Sequence, residues 1–376
     1  MQKIILQKID TMLERAGGKL LHCPPSPTGQ YSREGAGVFP LEDIRSCNQA
    51  YQAGLAVLAY RATGQEKYLR WCQQFAGEFA EKVNNRRYDT SQELGVLYSL
   101  YALPLYEITG EEGYREMALR AADELARRYL PHIGFLKAWG RADCHYPPYI
   151  DAYREDDPFF NENRGLMVIE TMLQLPLLMW ATRESNQPYY ERIAAQHIRS
   201  TLQYLIRKDG SVAHGYRFNE STGEAYCEDN YFGFGVGSNW AKGAALAVLG
   251  FVLCSKYSRY SSRNVLGDAL RILDKLIDRC GGKLPVWDFD CPEAKVDTQA
   301  AAILLWAVKE IQAMGSSASK IDAFGAMLTE GLAGYLDEDP AVEGILRGQN
   351  GREEFDRMGD FFFALTVLGQ PGDFWL

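Results

Sequence analysis

Three observations predict an all-α chain folded as an (α/α)6 barrel, a toroid of six inner and six outer helices. Apolar residues recur with helical period almost from end to end, helical segments alternate between two compositions, and long Gly-, Pro- and Tyr-rich connections interrupt them at intervals. The first observation places about twelve helices, near 1–16, 44–63, 66–84, 91–109, 111–130, 164–184, 187–207, 239–256, 259–280, 296–314, 317–335 and 355–368. Short turns join successive members: ATGQEKY at 62–68, ITGEEGY at 108–114 and TRESNQPYY at 182–190, each with Gly, Asn or Pro before an acidic or aromatic helix start. The second observation sorts the helices. Segments 91–109, 164–184, 239–256 and 296–314 are rich in Ala, Gly, Leu and Met, whereas 66–84, 111–130 and 259–280 carry many Lys, Arg, Asp and Glu. A helix that is apolar all round belongs inside, and an amphipathic one belongs in the outer layer. The third observation concerns 17–43, 131–163, 208–238 and 281–295, each of which precedes an inner helix. In a toroid these connections gather at one mouth, where the inner-helix N-termini point and where function is expected. No linker or low-complexity stretch divides residues 1–376, so one domain is expected.

Nearly half of the 376 residues are apolar, enough for a large core. The net charge is −9, with acids and bases interspersed, which argues against a nucleic-acid surface because that needs a basic stripe. No run reaches the length of a membrane span, and the N-terminus lacks the apolar stretch and cleavage site of a secretion signal. Eight cysteines are widely spread without a C-x-x-C pair, as in a reduced cytoplasmic protein. Zinc-ligand spacing, a P-loop and a strand-borne G-x-G-x-x-G are lacking, so neither metal nor cofactor is expected. Oligomeric state is left open.

Within GLMVIETMLQLPLLMWA at 165–181, Glu170 is the only charge. If the run is a buried helix, an ionised Glu170 is costly unless partnered, and its pKa should rise. A carboxyl group held protonated near neutral pH is a general acid; the competing role is a structural Glu tied to an Arg or to backbone donors. Glu93 in SQELG opens another inner helix, where it either serves a site or complements the helix dipole, worth about 0.3–1 kcal/mol. His214, Asn239, Trp240, Lys242, Asp297 and Asp360 also fall at or near inner-helix starts. Asp297 before TQAAAIL reads most simply as an N-cap. His214 alone reads as structural, and Lys242 as the partner of a neighbouring acid. The conjunction of two carboxylates and an imidazole at one mouth is the stronger signal. Aromatic candidates for sugar stacking are Tyr51, Trp139, Tyr146, Tyr149, Phe159, Phe160, Tyr231, Phe232 and Trp240; the acidic run 154–157 reads as a solvated face.

At these residues the chain resembles glycoside hydrolase family 88, the unsaturated glucuronyl hydrolases. The likeness is collinear over nearly the whole chain: ELGVLYSLY at 93–101, FLKAWG at 135–140, IETMLQLPLLMWA at 169–181, VWDFDCPEAKVDTQAAAI at 286–303 and GDFFFAL at 359–365. The resemblance implies an (α/α)6 barrel acting on a sugar with a C4=C5 double bond at the non-reducing end of a lyase-generated oligosaccharide. It implies hydration of that vinyl ether, without cofactor, with Glu170 as general acid/base and Glu93 as second carboxylate. It places His214, Lys242, Trp240, Tyr51, Trp139 and Phe232 against substrate. The family carboxylates are normally Asp; the added methylene of each Glu shifts a carboxyl by about 1.5 Å, and a misplacement of about 1 Å can cost roughly 100-fold in rate. Gln92 stands where the family has His, Tyr231-Phe232-Gly233 where it has His-Gln-Gly, and Lys242 where it has Arg. Other readings are a glycan-binding protein on a retired scaffold, a glycosidase of different sugar specificity and, least of all with five histidines, an epimerase.

Overall fold

Alternation of composition becomes alternation of layers in the computed structural model, which describes residues 1–20, 44, 47–85, 91–139, 165–259, 264–352 and 355–374. The outer layer holds α1 (Gln2–Ala16), α3 (Glu66–Gln73) with α4 (Ala76–Asn84), α7 (Glu112–Ala126), α9 (Tyr189–Tyr204), α11 (Val265–Cys280) and α13 (Ser319–Ala333). The inner ring holds α2 (Cys47–Thr63), α5 (Leu94–Ser99) with α6 (Ala102–Thr109), α8 (Leu175–Ser185), α10 (Ala241–Tyr257), α12 (Thr298–Ala313) and α14 (Arg357–Leu368). Each inner helix packs on the next, and α14 closes the ring on α2. This is the (α/α)6 barrel. No helix of the described residues is long and apolar enough to cross a membrane.

The inner helices are glycine-rich because their backbones nearly touch. A Cβ on Gly95 would lie 2.4 Å from the Gln174 backbone, and one on Gly250 2.9 Å from that of Met172. The turns behave as their residues dictate: Gly64, Gly110 and Asn186 take left-handed φ values of 67°, 70° and 56° just after α2, α6 and α8.

Three expectations need correction. The segments 66–84 and 91–109 are each broken once, at 74–75 and 100–101. The helix expected to 130 stops at Ala126 and gives way to a hairpin, β1 (Tyr129–Leu130) with β2 (Phe135–Leu136). The helix expected over 164–184 is three elements: strand β3 (Leu166–Val168), a 3-10 turn (Ile169–Leu173) and α8. Pro176 lies in the first turn of α8, where its missing N–H is harmless; farther inside, it would break the ladder. The residues before it are free to pair. Strand β3 joins β4 (Gly215–Phe218), and β4 joins β5 (Ala225–Asp229), in an antiparallel sheet at the mouth. The chain is thus helical with two small sheets.

Candidate active site

The inner-helix heads converge on a cavity of about 180 Å³. Cys47, Asn48 and Tyr51 enter it from α2, Glu93 from the residue before α5, Glu170 from the 3-10 turn, Lys242 from α10, Gln299 from α12, and Asp356 and Met358 from the start of α14. Trp139, Phe232 and Trp240 wall it from the connections. The fold therefore brings together Glu170, Glu93, Lys242, Trp240, Tyr51, Trp139 and Phe232, seven of the sequence candidates. Tyr146, Tyr149, Phe159, Phe160 and the run 154–157 lie outside the described residues.

Glu170 sits in a turn rather than deep in a helix, and its side chain retains 18 % of its accessibility. Full burial, expected from its apolar surroundings, is not observed because the 3-10 turn presents it to the cavity. His214, itself buried, places Nε2 3.0 Å from Glu170 Oε1, and its Nδ1 accepts the Tyr231 main-chain N–H at 2.9 Å. Glu170 Oε2 is buried without a hydrogen-bond partner among the described residues. The small sheet arranges this: the Ile169 N–H donates to the His214 carbonyl, continuing the β3–β4 ladder up to the carboxylate.

Glu93 Oε2 accepts the Cys47 N–H at 2.8 Å, so the dipole it complements is that of α2, a neighbour in the ring. Burial pushes the Glu93 carboxyl above its ordinary pKa; the Cys47 N–H and the Lys82 ammonium oppose the shift, and the charge of Glu170 adds to it. Burial also pushes the Cys47 thiol well up, with Glu93 and Asp356 adding. The cavity thus holds three carboxyl groups, Glu93, Glu170 and Asp356, and one cation among its described lining residues, Lys242. Lys242 Nζ donates to Asn350 Oδ1 at 2.8 Å and lies 5.1 Å from the centre of the Trp240 ring.

The aromatic wall is fixed from behind. Trp139 has φ 23°, strained for a side chain of this size; the Gln92 amide oxygen takes its N–H at 2.6 Å, and Arg128 Nη2 donates to its carbonyl at 2.7 Å. Asp288, in the WDFD segment, accepts from the Phe234 N–H and the Ser238 hydroxyl, fixing the loop that carries Phe232 and leads to Trp240. Tyr51 is fully buried with its ring against Phe361 and Phe362 and its hydroxyl unpartnered among the described residues. It offers the cavity a hydroxyl rather than an open stacking face.

The other candidates hold the frame. Asp297 Oδ1 caps α12 through the Gln299 and Ala300 N–H groups and also takes that of Asn350. Asn239 Oδ1 accepts the Val212 N–H. Asp360 Oδ1 accepts from the Leu346 N–H and Gln349 Nε2. Sequence reasoning missed Asp356, Gln299 and Gln174. Asp356 caps α14 and accepts from Gln299 Nε2 at 2.7 Å, while Gln174 Oε1 takes the Val96 N–H at 2.7 Å. The Asp356-x-Met358 start of α14 carried a readable N-cap signal; the Gln residues carried none. Among the described residues no group of three or more His, Cys, Asp or Glu is arranged to hold a metal ion.

No family model matches the chain. Among curated proteins it is similar to the unsaturated glucuronyl hydrolase of Bacillus sp. (strain GL1), 28 % identical over 352 residues and 89 % of each chain. The crystal structure of unsaturated glucuronyl hydrolase from Bacillus sp. GL1, responsible for the degradation of glycosaminoglycan, superposes with a TM-score of 0.82 at 26 % identity, covering 98 % of this chain and 96 % of that one. A variant of such an enzyme solved with dGlcA-Glc-Rha-Glc gives a TM-score of 0.81 at 26 % identity, covering 97 % of this chain and 94 % of that one. With barrel, mouth and collinear sequence all in agreement, the chain is an unsaturated glucuronyl hydrolase-like protein, a glycoside hydrolase of that type.

Proposed function

We propose that the chain removes a 4,5-unsaturated uronic acid from the non-reducing end of an oligosaccharide, with Glu170 as general acid and base. The carrying observation is the unpartnered Oε2 of Glu170 in a cavity shared with Glu93 and walled by aromatic rings. In the reaction Glu170 gives its proton to C4, the oxygen of a water bonds to C5, and the other water proton returns to Glu170. The hemiketal so formed opens at its ring C5–O bond, and the hemiacetal left at C1 releases the partner sugar. Glu93, its carboxyl kept from ready ionisation by burial, orients the sugar from the opposite helix head. Lys242 meets the uronate carboxylate, and Trp139, Phe232 and Trp240 pack against the ring. A cavity of about 180 Å³ is smaller than the roughly 300–1,000 Å³ of sites for drug-sized ligands, which suits one terminal sugar at a time.

The experiment is loss of the double-bond ultraviolet absorbance on a panel of lyase-generated disaccharides from glycosaminoglycan, pectin, xanthan and gellan. Turnover of at least one is expected, and Glu170→Gln should lower it by roughly 100-fold or more. Full activity in that variant would refute the assigned role. A flat trace for the wild type, with oligosaccharide binding retained, would favour a glycan-binding protein instead. The described cysteines, Cys47, Cys72, Cys227, Cys254, Cys280 and Cys291, are all unpaired, which supports a reducing, cytoplasmic setting. Recovery of the native protein in an exported fraction would overturn that placement.

A further inference from the structure

We propose that His214 is a positioning residue that dictates which oxygen of Glu170 carries the catalytic proton, and that it does not bind substrate. The inference rests on the reading of Glu170 above and follows from hydrogen-bond accounting. An imidazole has two nitrogens, and both are committed within the protein. Nδ1 accepts the Tyr231 main-chain N–H at 2.9 Å, so it bears no proton. The proton of the neutral ring is therefore on Nε2, which donates it to Glu170 Oε1 at 3.0 Å. An oxygen that accepts this bond is not the one that holds the acid proton. When Glu170 is protonated, the proton sits on Oε2, the oxygen without a hydrogen-bond partner among the described residues.

The ring cannot turn to another arrangement. It is 2 % exposed and enclosed by Phe232, Trp240, Tyr231 and Trp139, with ring centres 5.1, 5.2, 5.9 and 6.1 Å away. It is also absent from the described lining of the cavity, so a sugar meets Glu170 and the surrounding rings but no nitrogen of His214. A second proton on the imidazole would have to displace the Tyr231 N–H from Nδ1. The titratable groups that line the same cavity from the other elements are Cys47 and Tyr51 on α2, Glu93 ahead of α5, Lys242 on α10 and Asp356 at the head of α14.

The test pairs an activity-independent measurement with variants. In substrate-free protein labelled with 15N-histidine, the signal lost in His214→Asn should show a protonated Nε2 and a bare Nδ1. A protonated Nδ1 with a bare Nε2 would overturn the proposal whether or not any substrate is turned over. On a disaccharide that the wild type hydrates, His214→Phe and His214→Asn should lower kcat roughly 10- to 100-fold, with KM within about threefold. Their alkaline activity limb should move to higher pH, because the carboxylate has lost its donor. His214→Gln, whose amide nitrogen can reach Oε1, should recover most of kcat. A raised KM at unchanged kcat and unchanged pH profile would make His214 a substrate contact and end the proposal. If the wild type turns over no unsaturated uronide, the functional reading fails while the nuclear magnetic resonance arm still decides the tautomer.

Discussion

Asp360 and Glu93 are carboxyl groups whose ionisation burial opposes, and Asp360 gives the clearer stability signal. Burial raises its pKa to about 7, against the Leu346 N–H and the Arg357 charge. In the unfolded chain it ionises near its ordinary value of about 3.9. Between these pH values the folded state binds more protons, so this group's contribution to stability falls as pH rises from about 4 to about 7. Asp360→Asn keeps an acceptor for the Leu346 N–H and removes the titration. Relative to the wild type, the variant should gain on the order of 2 kcal/mol between about pH 5 and about pH 8, read from urea unfolding at both. Parallel pH dependence in the two proteins would assign the effect to other groups. The sequence marked Asp360 as a mouth candidate because it lies near the start of an inner helix. Only the fold shows its oxygen turned back to the 346–349 loop, because no local pattern announces that reversal of the chain.

At the scale of elements, the glycines of the inner ring divide by what lies opposite them. Gly95→Ala would drive a Cβ into the Gln174 backbone, which cannot step aside as a flexible side chain can. The expected cost is about 2–3 kcal/mol, measured as a lowered Tm, with activity lost in parallel because Glu93 and Glu170 flank this contact. Gly77→Ala, on outer helix α4 with nothing near the added carbon, should instead stabilise by about 0.5 kcal/mol. A neutral Gly95→Ala would mean that the ring is looser than its packing indicates. Most of the expected helical segments were legible because they are long and periodic. The strand-turn-helix at 166–185 was not, because its residues are apolar throughout and periodicity does not separate a buried strand from a buried helix. That misreading hid the sheet, and with it the pairing of Glu170 and His214.

For the molecule as a whole, the ring of inner helices closes through α14 on α2, so no helix pair buries its inner face alone. Calorimetry is accordingly expected to show one unfolding endotherm, and two resolved transitions would divide the chain into separately folding parts. The sequence by itself indicated the barrel, the layer of the helices whose composition is one-sided, and two candidate carboxylates near inner-helix starts. These follow from composition and period, which are local properties of the chain. Tertiary structure alone decided which oxygen of Glu170 is left unpartnered among the described residues, that Glu93 caps α2, that Asp356 and Gln299 join the cavity, and that Tyr51 turns its hydroxyl rather than an open ring face to it. Each of these depends on contacts between residues tens to hundreds of positions apart, set by the closure of the ring and by a three-stranded sheet that no local pattern announces.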